Sequence, residues 1–173
     1  MALSIPLVVW EQNPPHAIVA LGASINGEDI ISGDENGKMV LWNFCFNSEQ
    51  RHLLEPKSIM VSSSGSSVIS LTVFIVQGLR IVACIQDNSD LRVWDLETGN
   101  LLSNFRFTYG KPLQIIHIYS NLVAIRGCFN GVYIIDSFSG LIYDRLAEEE
   151  GEIRGIYCLT SNNQNNESTI VNH

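Results

Sequence analysis

Short apolar runs separated by polar turns follow one another along most of the chain, and this pattern predicts β-hairpins. The clearest stretch runs from Asp87 to Gly99 and reads DNSDLRVWDLETG. A polar turn leads into Leu91–Asp95, and a second turn reverses the chain into Leu101–Phe105. β-Branched and aromatic residues fill these strands, as a packed pleated surface prefers. No helical period of useful length is visible, and only Leu146–Glu150 has the composition of a helical turn.

The same order of turn and strand recurs. Asn36-Gly37 leads into Met39–Asn43, and Asn130-Gly131 leads into Val132–Asp136. Asn-Gly suits two-residue hairpins because both residues tolerate positive φ. Each recurring strand carries an aromatic or apolar residue followed by a polar one, and these pairs define a repeated structural motif: Trp42 with Asn43, Trp94 with Asp95, and Ile135 with Asp136.

The spacing of the motif predicts units of four strands. Trp42 and Trp94 are 52 residues apart, and Trp94 and Ile135 are 41 apart. The first interval is longer because of an insertion over 44–67. Periods of about 40 to 45 residues with four antiparallel strands are typical of propeller blades. The predicted blades span 15–61, 66–108 and 111–147, and 151–173 begins a fourth.

The opening of the chain predicts one further strand. Pro6–Trp10 reads as a strand that stops at Asn13-Pro14-Pro15, and nothing before it supplies the rest of a sheet. We therefore assign 1–12 as an orphan closing strand, with Val8 and Trp10 as its defining residues. A blade buries its faces only between neighbours, and about three and a half blades cannot close a ring. We expect an all-β, incomplete propeller, hypothetically a fragment, a truncated isoform or an incomplete gene model of a longer chain.

Composition and charge restrict the partners. Ten basic and eighteen acidic residues give a net charge of −8, which argues against nucleic acid and anionic membranes. Apolar residues make up 46%, enough for a core. The longest apolar run, Leu71–Val76 interrupted by Thr72, is far shorter than the roughly 20 residues of a membrane helix, so we expect no membrane insertion.

Residues with catalytic or metal-binding chemistry are scattered. The four cysteines form no C-x-x-C pair, and the Met-Ala-Leu-Ser terminus has neither the basic region nor the long apolar region typical of a signal peptide. We therefore expect buried, reduced thiols in a cytoplasmic protein. His117 alternates with apolar residues and is interpreted as a strand residue satisfied by backbone. Asp34-Glu35 is predicted to lie in a water-exposed turn. No G-x-S-x-G or G-x-G-x-x-G occurs. We predict no catalytic residue, cofactor or metal site.

The tryptophans and their neighbours divide into core and surface candidates. Trp10, Trp42 and Trp94 are predicted to fill the blade core, although tryptophan is also enriched at protein interfaces. Lys38, Arg92 and Tyr133 stand at the alternate positions of the same strands. They are therefore the sequence-based candidates for surface contact.

The chain resembles the WD-repeat family over nearly its whole length. The resemblance is carried by the segments around Gly33, Asn36–Trp42 and Asn88–Asp95. The Gly-His usual before a blade survives only as His16, so most of the family's His, Ser, Asp and Trp hydrogen-bond network is expected to be absent. About the first 45 residues resemble the amino terminus of the beta subunits of the rabconnectin-3 family. The order that carries this resemblance is Pro6-x-Val8-x-Trp10, Pro15-His16-x-Ile18-x-Ala20, Ile31-Ser32-Gly33 and Gly37-x-x-x-Leu41-Trp42. That resemblance implies a large scaffold that regulates vacuolar-type proton pump assembly.

These patterns favour a non-enzymatic protein-interaction scaffold. The rabconnectin-3 resemblance implies the alpha subunit and, through it, the proton pump as partners, at a cytoplasmic location that is peripheral on endomembrane vesicles. A generic WD-repeat adaptor of an unrelated pathway is the alternative. A propeller hydrolase or lyase is a hypothesis from a second functional class. Such an enzyme requires polar residues that converge on the central channel, and the strands of this chain have mostly Ile, Val and Leu at those positions.

Overall fold

The computed structural model describes residues 17–24, 29–46, 52–61, 65–146, 156–160 and 168–172. These residues form fourteen strands and no helix. The strands are β1 (Ile18–Ala23), β2 (Ile30–Asp34), β3 (Lys38–Phe46), β4 (His52–Val61), β5 (Val68–Val76), β6 (Leu79–Gln86), β7 (Asp90–Asp95), β8 (Leu101–Arg106), β9 (Pro112–Tyr119), β10 (Leu122–Gly127), β11 (Val132–Asp136), β12 (Ile142–Leu146), β13 (Ile156–Thr160) and β14 (Ser168–Asn172).

Consecutive strands pair antiparallel in chain order. β1–β4, β5–β8 and β9–β12 form three four-stranded sheets, called blades 1, 2 and 3 below, and β13 pairs with β14. The predicted class, an all-β incomplete propeller, is confirmed. The proposed closing strand with Val8 and Trp10, and the proposed helical turn beyond Leu146, lie outside the described residues.

The first strand of each blade lies nearest to the neighbouring blades. β5 contacts β1 on one side and β9 on the other, and β13 packs beside β9. The blades are therefore stacked side by side, as their sequence spacing predicted. In such a stack, neighbouring blades cover the two apolar faces of a sheet.

Two hydrophobic clusters fill the boundaries between blades. Alternate residues of β6 face opposite clusters, so both faces of this strand are buried. The cluster between blades 1 and 2 includes Ile31, Met39, Leu41, Met60, Leu71, Val82, Cys84 and Trp94. The cluster between blades 2 and 3 includes Phe74, Ile81, Ala83, Ile85, Leu91, Val93, Phe107, Ile115, Val123, Ile125, Tyr133 and Ile135.

This burial corrects the assignment of surface candidates. Arg92 is 5% exposed and Tyr133 is 8% exposed, so the prediction that they contact partners was wrong. Alternation marks a solvent-facing side only where one sheet face is free, and a stacked blade has neighbours on both faces. Lys38 is half-buried.

The hairpin turns follow the chemistry of their residues. Gly37 (φ 81°), Ser89 (φ 68°) and Gly131 (φ 81°) hold the same left-handed position before the third strand of each blade. Asn-Gly indicated this turn in blades 1 and 3. In blade 2 a serine adopts the same conformation, stabilised by Asn88, whose side-chain oxygen accepts a hydrogen bond from the Asp90 N–H at 2.9 Å.

Candidate interaction surface at the rim of blades 2 and 3

The tryptophans of the repeated motif are buried in the blades. The Trp42 indole N–H donates to the Ser32 hydroxyl at 2.8 Å. This is one bond of the His, Ser, Asp and Trp network that the sequence led us to expect mostly absent, and His16 lies outside the described residues. The placement assigns Trp42 to blade packing.

Blade 2 has a thiol where blade 1 has this hydroxyl. Cys84 stands relative to Trp94 as Ser32 stands relative to Trp42, because Val82 pairs with Trp94 as Ile30 pairs with Trp42. In the part of the chain that the structure describes, the buried Trp94 indole N–H makes no hydrogen bond of normal geometry, and its neighbouring acceptor is the Cys84 sulfur. Burial raises the pKa of the Cys84 thiol to about 12, against the opposing charge of Arg92. Cys84 is therefore an unreactive, protonated packing residue.

Cys128 differs from Cys84 in its exposure. Cys128 is exposed in the loop between β10 and β11, so the expectation of buried thiols holds for Cys84 and is wrong for Cys128. Both thiols are free.

The carboxylates of the motif hold turns. Asp95 accepts hydrogen bonds from the Glu97 N–H and the Thr98 hydroxyl, both at 2.8 Å. Asp136 accepts from the N–H groups of Phe138 and Ser139, both at 2.9 Å. The Glu97 N–H above all, with the Thr98 hydroxyl, lowers the pKa of Asp95. Both aspartates stabilise the turn after the third strand of their blade.

The two remaining residues of the motif occupy strand positions. Ile135 is buried between blades 2 and 3. Asn43 lies in β3 opposite Glu55.

Asp34 also serves a turn, and its burial corrects another expectation. Its carboxylate accepts from the N–H groups of Asn36 at 2.9 Å and Lys38 at 2.8 Å. Asp34 is buried, whereas the neighbouring Glu35 is exposed as expected. The prediction that both carboxylates face water was wrong for Asp34, because its side chain turns inward to accept the backbone N–H groups of the hairpin turn.

Polar side chains join blade 1 to blade 2. The Arg80 guanidinium lies 2.9 Å from the Asp29 carboxylate across the boundary and 3.4 Å from Glu97 within blade 2. The Asp29 side chain is 7% exposed and that of Arg80 is 25% exposed. A nearly buried carboxylate is thus compensated by an arginine from the next blade.

The inner strands of blades 2 and 3 are joined by hydroxyl groups. Ser70 accepts a hydrogen bond from the Ile115 N–H at 3.2 Å, and Thr72 accepts one from the His117 N–H at 3.1 Å. Gln114 continues the pattern: its amide donates to the Ile156 carbonyl of β13 at 3.0 Å. The polar residues of the inner strands therefore serve the boundaries between sheets.

The His117 ring is engaged by neighbouring groups. Its ring stacks on Phe74, with 4.3 Å between centroids, and Nε2 lies 2.9 Å from the Ser120 carbonyl oxygen. Burial lowers the pKa of His117, against the Ser120 contact. The interpretation as a strand residue satisfied by backbone is confirmed. Over the described ranges, no three His, Cys, Asp or Glu side chains group at metal-binding distance.

Aromatic residues gather at the edge where blade 2 passes into blade 3. The rim cluster consists of Phe107 and Tyr109 from the loop between β8 and β9, Phe129 from the loop between β10 and β11, and Tyr133 from β11. Tyr109 stacks on Tyr133 with 5.0 Å between centroids. Phe107 and Phe129 meet the edges of Tyr133 at 5.5 and 5.3 Å. Tyr133 is enclosed by these rings, whereas Tyr109 remains 51% exposed.

Two glycines let the loops approach the rim cluster. A Cβ on Gly110 would lie 2.8 Å from a ring carbon of Phe129, and the φ of Gly110 is 135°. A Cβ on Gly127 would lie 2.1 Å from the Lys111 carbonyl oxygen. Side chains at either position would push the loops apart, so the compact rim depends on glycine.

One exposed cation, Arg145, contacts the rim cluster, and two more, Arg106 and Lys111, are close to Phe107 and Tyr109 in the sequence. The Arg145 guanidinium lies 5.2 Å from the Tyr133 ring centroid and donates to the Asn130 carbonyl at 3.0 Å. Arg106 donates to the Asn88 carbonyl at 3.1 Å. Lys111 adjoins the same loops, since its carbonyl accepts from the Cys128 N–H. Sequence reasoning missed this surface, although aromatic and basic residues alternate over 105–111 (FRFTYGK).

Comparisons with known proteins agree with the fold. No protein-family model and no curated protein matches the chain. Among solved structures, the crystal structure of BamB from Moraxella catarrhalis superposes with a TM-score of 0.58 at 15% sequence identity. The match covers 79% of this chain and 38% of the BamB chain, so this chain corresponds to less than half of BamB. BamB is a β-propeller, and the likeness concerns the fold alone.

The described residues contain no helix long and apolar enough to cross a bilayer.

Proposed function

We propose that this chain is a non-enzymatic protein-interaction scaffold whose blades present a binding surface at their rim. The observation that carries the proposal is Tyr109, a half-exposed aromatic residue that stacks on the buried ring of Tyr133, which also contacts the exposed Arg145 guanidinium. Tyrosine and arginine are enriched among the residues that dominate protein interfaces. Loops supported by a rigid sheet are the usual place for such residues.

The positions of the polar side chains support a scaffold over a propeller hydrolase or lyase. Such an enzyme needs acid, base or metal-ligating groups that converge on a substrate. In the described inner strands, Ser70, Thr72 and Gln114 hydrogen-bond across blade boundaries. His117 is stacked and bonded to backbone. These groups are engaged in holding the sheets together.

The finer form of the proposal is a rabconnectin-3-type regulator of vacuolar proton pump assembly. Its support is the opening sequence, Pro6-x-Val8-x-Trp10 followed by Pro15-His16. Its partners are the rabconnectin-3 alpha subunit and, through it, the proton pump, at endomembrane vesicles. A WD-repeat adaptor of another pathway has the same blade architecture and different partners.

Affinity capture with the full 173-residue chain, followed by reconstitution from purified components, tests the scaffold function. We expect a saturable complex with at least one purified protein. Recovery of the alpha subunit and pump subunits supports the finer form, and their absence from the complex removes it. The scaffold function itself is contradicted if no purified protein binds and the chain instead binds a divalent metal in titration calorimetry and turns over a substrate.

A further inference from the structure

We propose that Asn130 is a site of spontaneous deamidation and that Arg145 directs the product toward isoaspartate. The loop between β10 and β11 ends in the pair Asn130-Gly131. Asparagine is chemically labile. It reacts fastest before glycine, because glycine has no side chain that hinders attack by its backbone nitrogen. This covalent modification does not depend on the scaffold function.

The reaction has two steps, and water is its only co-reactant. The Gly131 nitrogen loses its proton and attacks the side-chain carbonyl carbon (Cγ) of Asn130, so that a C–N bond forms, the Cγ–Nδ2 bond breaks and ammonia leaves. Water then opens the five-membered imide ring. Attack at Cγ breaks the new bond and gives aspartate. Attack at the backbone carbonyl carbon breaks the original peptide bond and gives isoaspartate, in which the chain continues through Cβ and Cγ.

Three turns of the same kind allow the reactive pair to be identified. In each blade an asparagine precedes a residue with positive φ just before the third strand, and the pairs are Asn36-Gly37, Asn88-Ser89 and Asn130-Gly131. The chain has one further Asn-Gly pair, Asn26-Gly27, which lies outside the described residues. The three described turns differ in how the reacting groups are held.

The first difference is the backbone nitrogen that has to attack. The Gly37 N–H donates to the Asp34 carbonyl at 3.3 Å, and the Ser89 N–H donates to the Gln86 carbonyl at 2.9 Å. Among the described residues, the Gly131 N–H makes no hydrogen bond. Gly37 and Gly131 are both buried, so burial does not separate them. A nitrogen that must first leave a hydrogen bond attacks more slowly, and blade 3 therefore has the most available nucleophile.

The second difference is the side-chain amide. The Asn88 amide nitrogen donates to the Asp90 carboxylate at 2.9 Å, and the Asn88 amide oxygen accepts the Asp90 N–H at 2.9 Å. Both bonds have to break before the Cγ of Asn88 can react. Asn130 is exposed, and within the described ranges its side-chain amide makes no hydrogen bond. The Asn130 amide is thus free to turn toward the Gly131 nitrogen.

The Arg145 guanidinium is placed to assist both steps. Its Nη2 donates to the Asn130 carbonyl oxygen at 3.0 Å. This oxygen belongs to the same peptide group as the Gly131 nitrogen, so the negative charge left by the lost proton is shared with it and stabilised by the guanidinium. In the second step the same contact polarises the backbone carbonyl, and attack at that carbonyl gives isoaspartate. The oxygen that Arg145 binds then belongs to the new carboxylate.

The other two turns lack this combination. Arg106 donates to the Asn88 carbonyl at 3.1 Å, but the Asn88 amide is held by Asp90. In blade 1 the residue opposite Lys38 is Val61, at the position that Arg106 has in blade 2. We therefore expect deamidation in the order Asn130, Asn36, Asn88, from fastest to slowest.

The modification alters the edge of the rim cluster. The loop that contains Asn130 also carries Phe129, which meets Tyr133 at 5.3 Å. The Arg145 guanidinium lies 5.2 Å from the centroid of the same Tyr133 ring. Isoaspartate lengthens the backbone by one carbon atom and adds a negative charge beside Arg145. An aged chain therefore presents a different rim from a newly made one.

Peptide mapping by mass spectrometry tests the proposal on the full 173-residue chain, incubated at neutral and mildly alkaline pH. Enzymatic methylation of isoaspartate separates it from aspartate, and the chain unfolded in urea gives the reference ratio of the two products. We expect Asn130 to deamidate at least about fivefold faster than Asn36, the factor that one backbone hydrogen bond implies. The rate should rise with pH, and the isoaspartate fraction at Asn130 should exceed the value in urea.

Arginine variants separate chemical assistance from a structural role. Arg145→Gln is expected to slow deamidation of Asn130 by about tenfold, the equivalent of a charge-assisted hydrogen bond, and to return the isoaspartate fraction to its value in urea. Arg145→Lys, which retains a charge, should lie between the two. If Arg145 only tethers the loop, Arg145→Gln frees the loop and accelerates the reaction instead. Arg106→Gln makes the same change at the corresponding contact of blade 2 and should leave Asn130 unaffected.

Three outcomes overturn the inference: deamidation of Asn36 or Asn88 as fast as that of Asn130, faster deamidation in Arg145→Gln, or equal isoaspartate fractions in the folded and unfolded chains. If Arg145→Gln fails to fold, the wild-type chain decides the outcome through the rates at Asn130 and Asn36 and through the product ratio with and without urea.

Discussion

Trp42 and Trp94 occupy equivalent positions in successive blades, but their indole N–H groups have different neighbours. Ser32 accepts the hydrogen bond of Trp42. Cys84 stands at the corresponding site beside Trp94, and sulfur is a weak acceptor. A buried donor without an acceptor costs about 1 to 3 kcal/mol. Blade 2 therefore carries a local defect that blade 1 does not.

Cys84→Ser is expected to raise the free energy of unfolding by about 1 kcal/mol, because a hydroxyl oxygen accepts the Trp94 indole N–H more strongly than a thiol does. The reciprocal change, Ser32→Cys, is expected to lower it by a similar amount. Urea unfolding followed by far-ultraviolet circular dichroism measures both. Cys128→Ser, at an exposed thiol, is the control and should have no effect. Shifts of the same sign for Cys84→Ser and Ser32→Cys would contradict the equivalence of the two sites.

His117 gives stability a dependence on pH. Its pKa in the folded chain is lower than the usual value of about 6.5, so the folded state prefers the neutral ring. As pH falls below about 6.5, the unfolded chain binds the proton first and the free energy of unfolding decreases; above it, His117 contributes no slope. Thermal unfolding of the wild type and His117→Gln across this range should therefore give curves that diverge only at acidic pH. Parallel curves would exclude the role of His117.

At the scale of strands, two glycines set the distance between blades 1 and 2. A Cβ on Gly33 in β2 would lie 2.6 Å from a methyl of Val68 and 2.7 Å from the Val68 Cβ. A Cβ on Gly22 in β1 would lie 2.2 Å from a terminal methyl of Leu71, with the next atom at 3.5 Å. Valine is branched at Cβ and stiff, whereas the end of a leucine can rotate away.

Gly33→Ala is accordingly expected to destabilise the chain by about 2 kcal/mol through overpacking, and Gly22→Ala by clearly less. Chemical denaturation compares the two variants. The double variant Gly33→Ala with Val68→Ala creates space at the same contact, so its loss should be smaller than the sum of the single losses. If the losses in free energy of unfolding simply add, the clash with Val68 is not the cause of the destabilisation by Gly33→Ala.

The ion pair between Asp29 and Arg80 joins the same two blades. Arg80→Ala leaves a nearly buried carboxylate without its guanidinium, and we expect a loss of about 2 kcal/mol. Adding Asp29→Asn removes the uncompensated charge and should recover part of the loss. A double-mutant cycle measured by urea unfolding gives the coupling free energy between Asp29 and Arg80. Lys57→Ala, at an exposed lysine of β4, controls for loss of a surface cation.

The elements themselves were largely predictable, because Asn-Gly turns and β-branched runs encode hairpins locally. Gly37 and Gly131 confirm two such turns, whereas at Ser89 the sequence predicted a polar turn without indicating its left-handed residue. The burial of Arg92 and Tyr133 depends on which blade lies opposite, and no local pattern contains that information. The rim cluster was missed for the same reason, since Tyr109 and Tyr133 meet only after two blades stack.

At the scale of the whole molecule, hydroxyl groups link the inner strands of successive blades. The N–H groups of Ile115 and His117 donate to Ser70 and Thr72 of the preceding blade. Two donors on the inner edge of β9 are therefore satisfied by a neighbouring sheet, which helps to protect an otherwise unpaired edge. Exchange of these two amides with solvent requires blades 2 and 3 to separate.

Hydrogen exchange measured by NMR tests this linkage. The double variant Ser70→Ala with Thr72→Val should accelerate exchange at Ile115 and His117 by roughly tenfold, the equivalent of one hydrogen bond. The amide of Ile125, in the interior of the same sheet, serves as the reference and should change much less. Equal acceleration at Ile125 would indicate global destabilisation instead.

The distribution of aromatic residues gives the two blade boundaries different optical properties. Trp94 belongs to the boundary between blades 1 and 2, and Tyr133 to the boundary between blades 2 and 3. Indole and phenol absorb at different wavelengths in the near-ultraviolet, so each boundary carries its own chromophore. Melting curves recorded at the two wavelengths would coincide if the blades part together and would separate if one junction opens first.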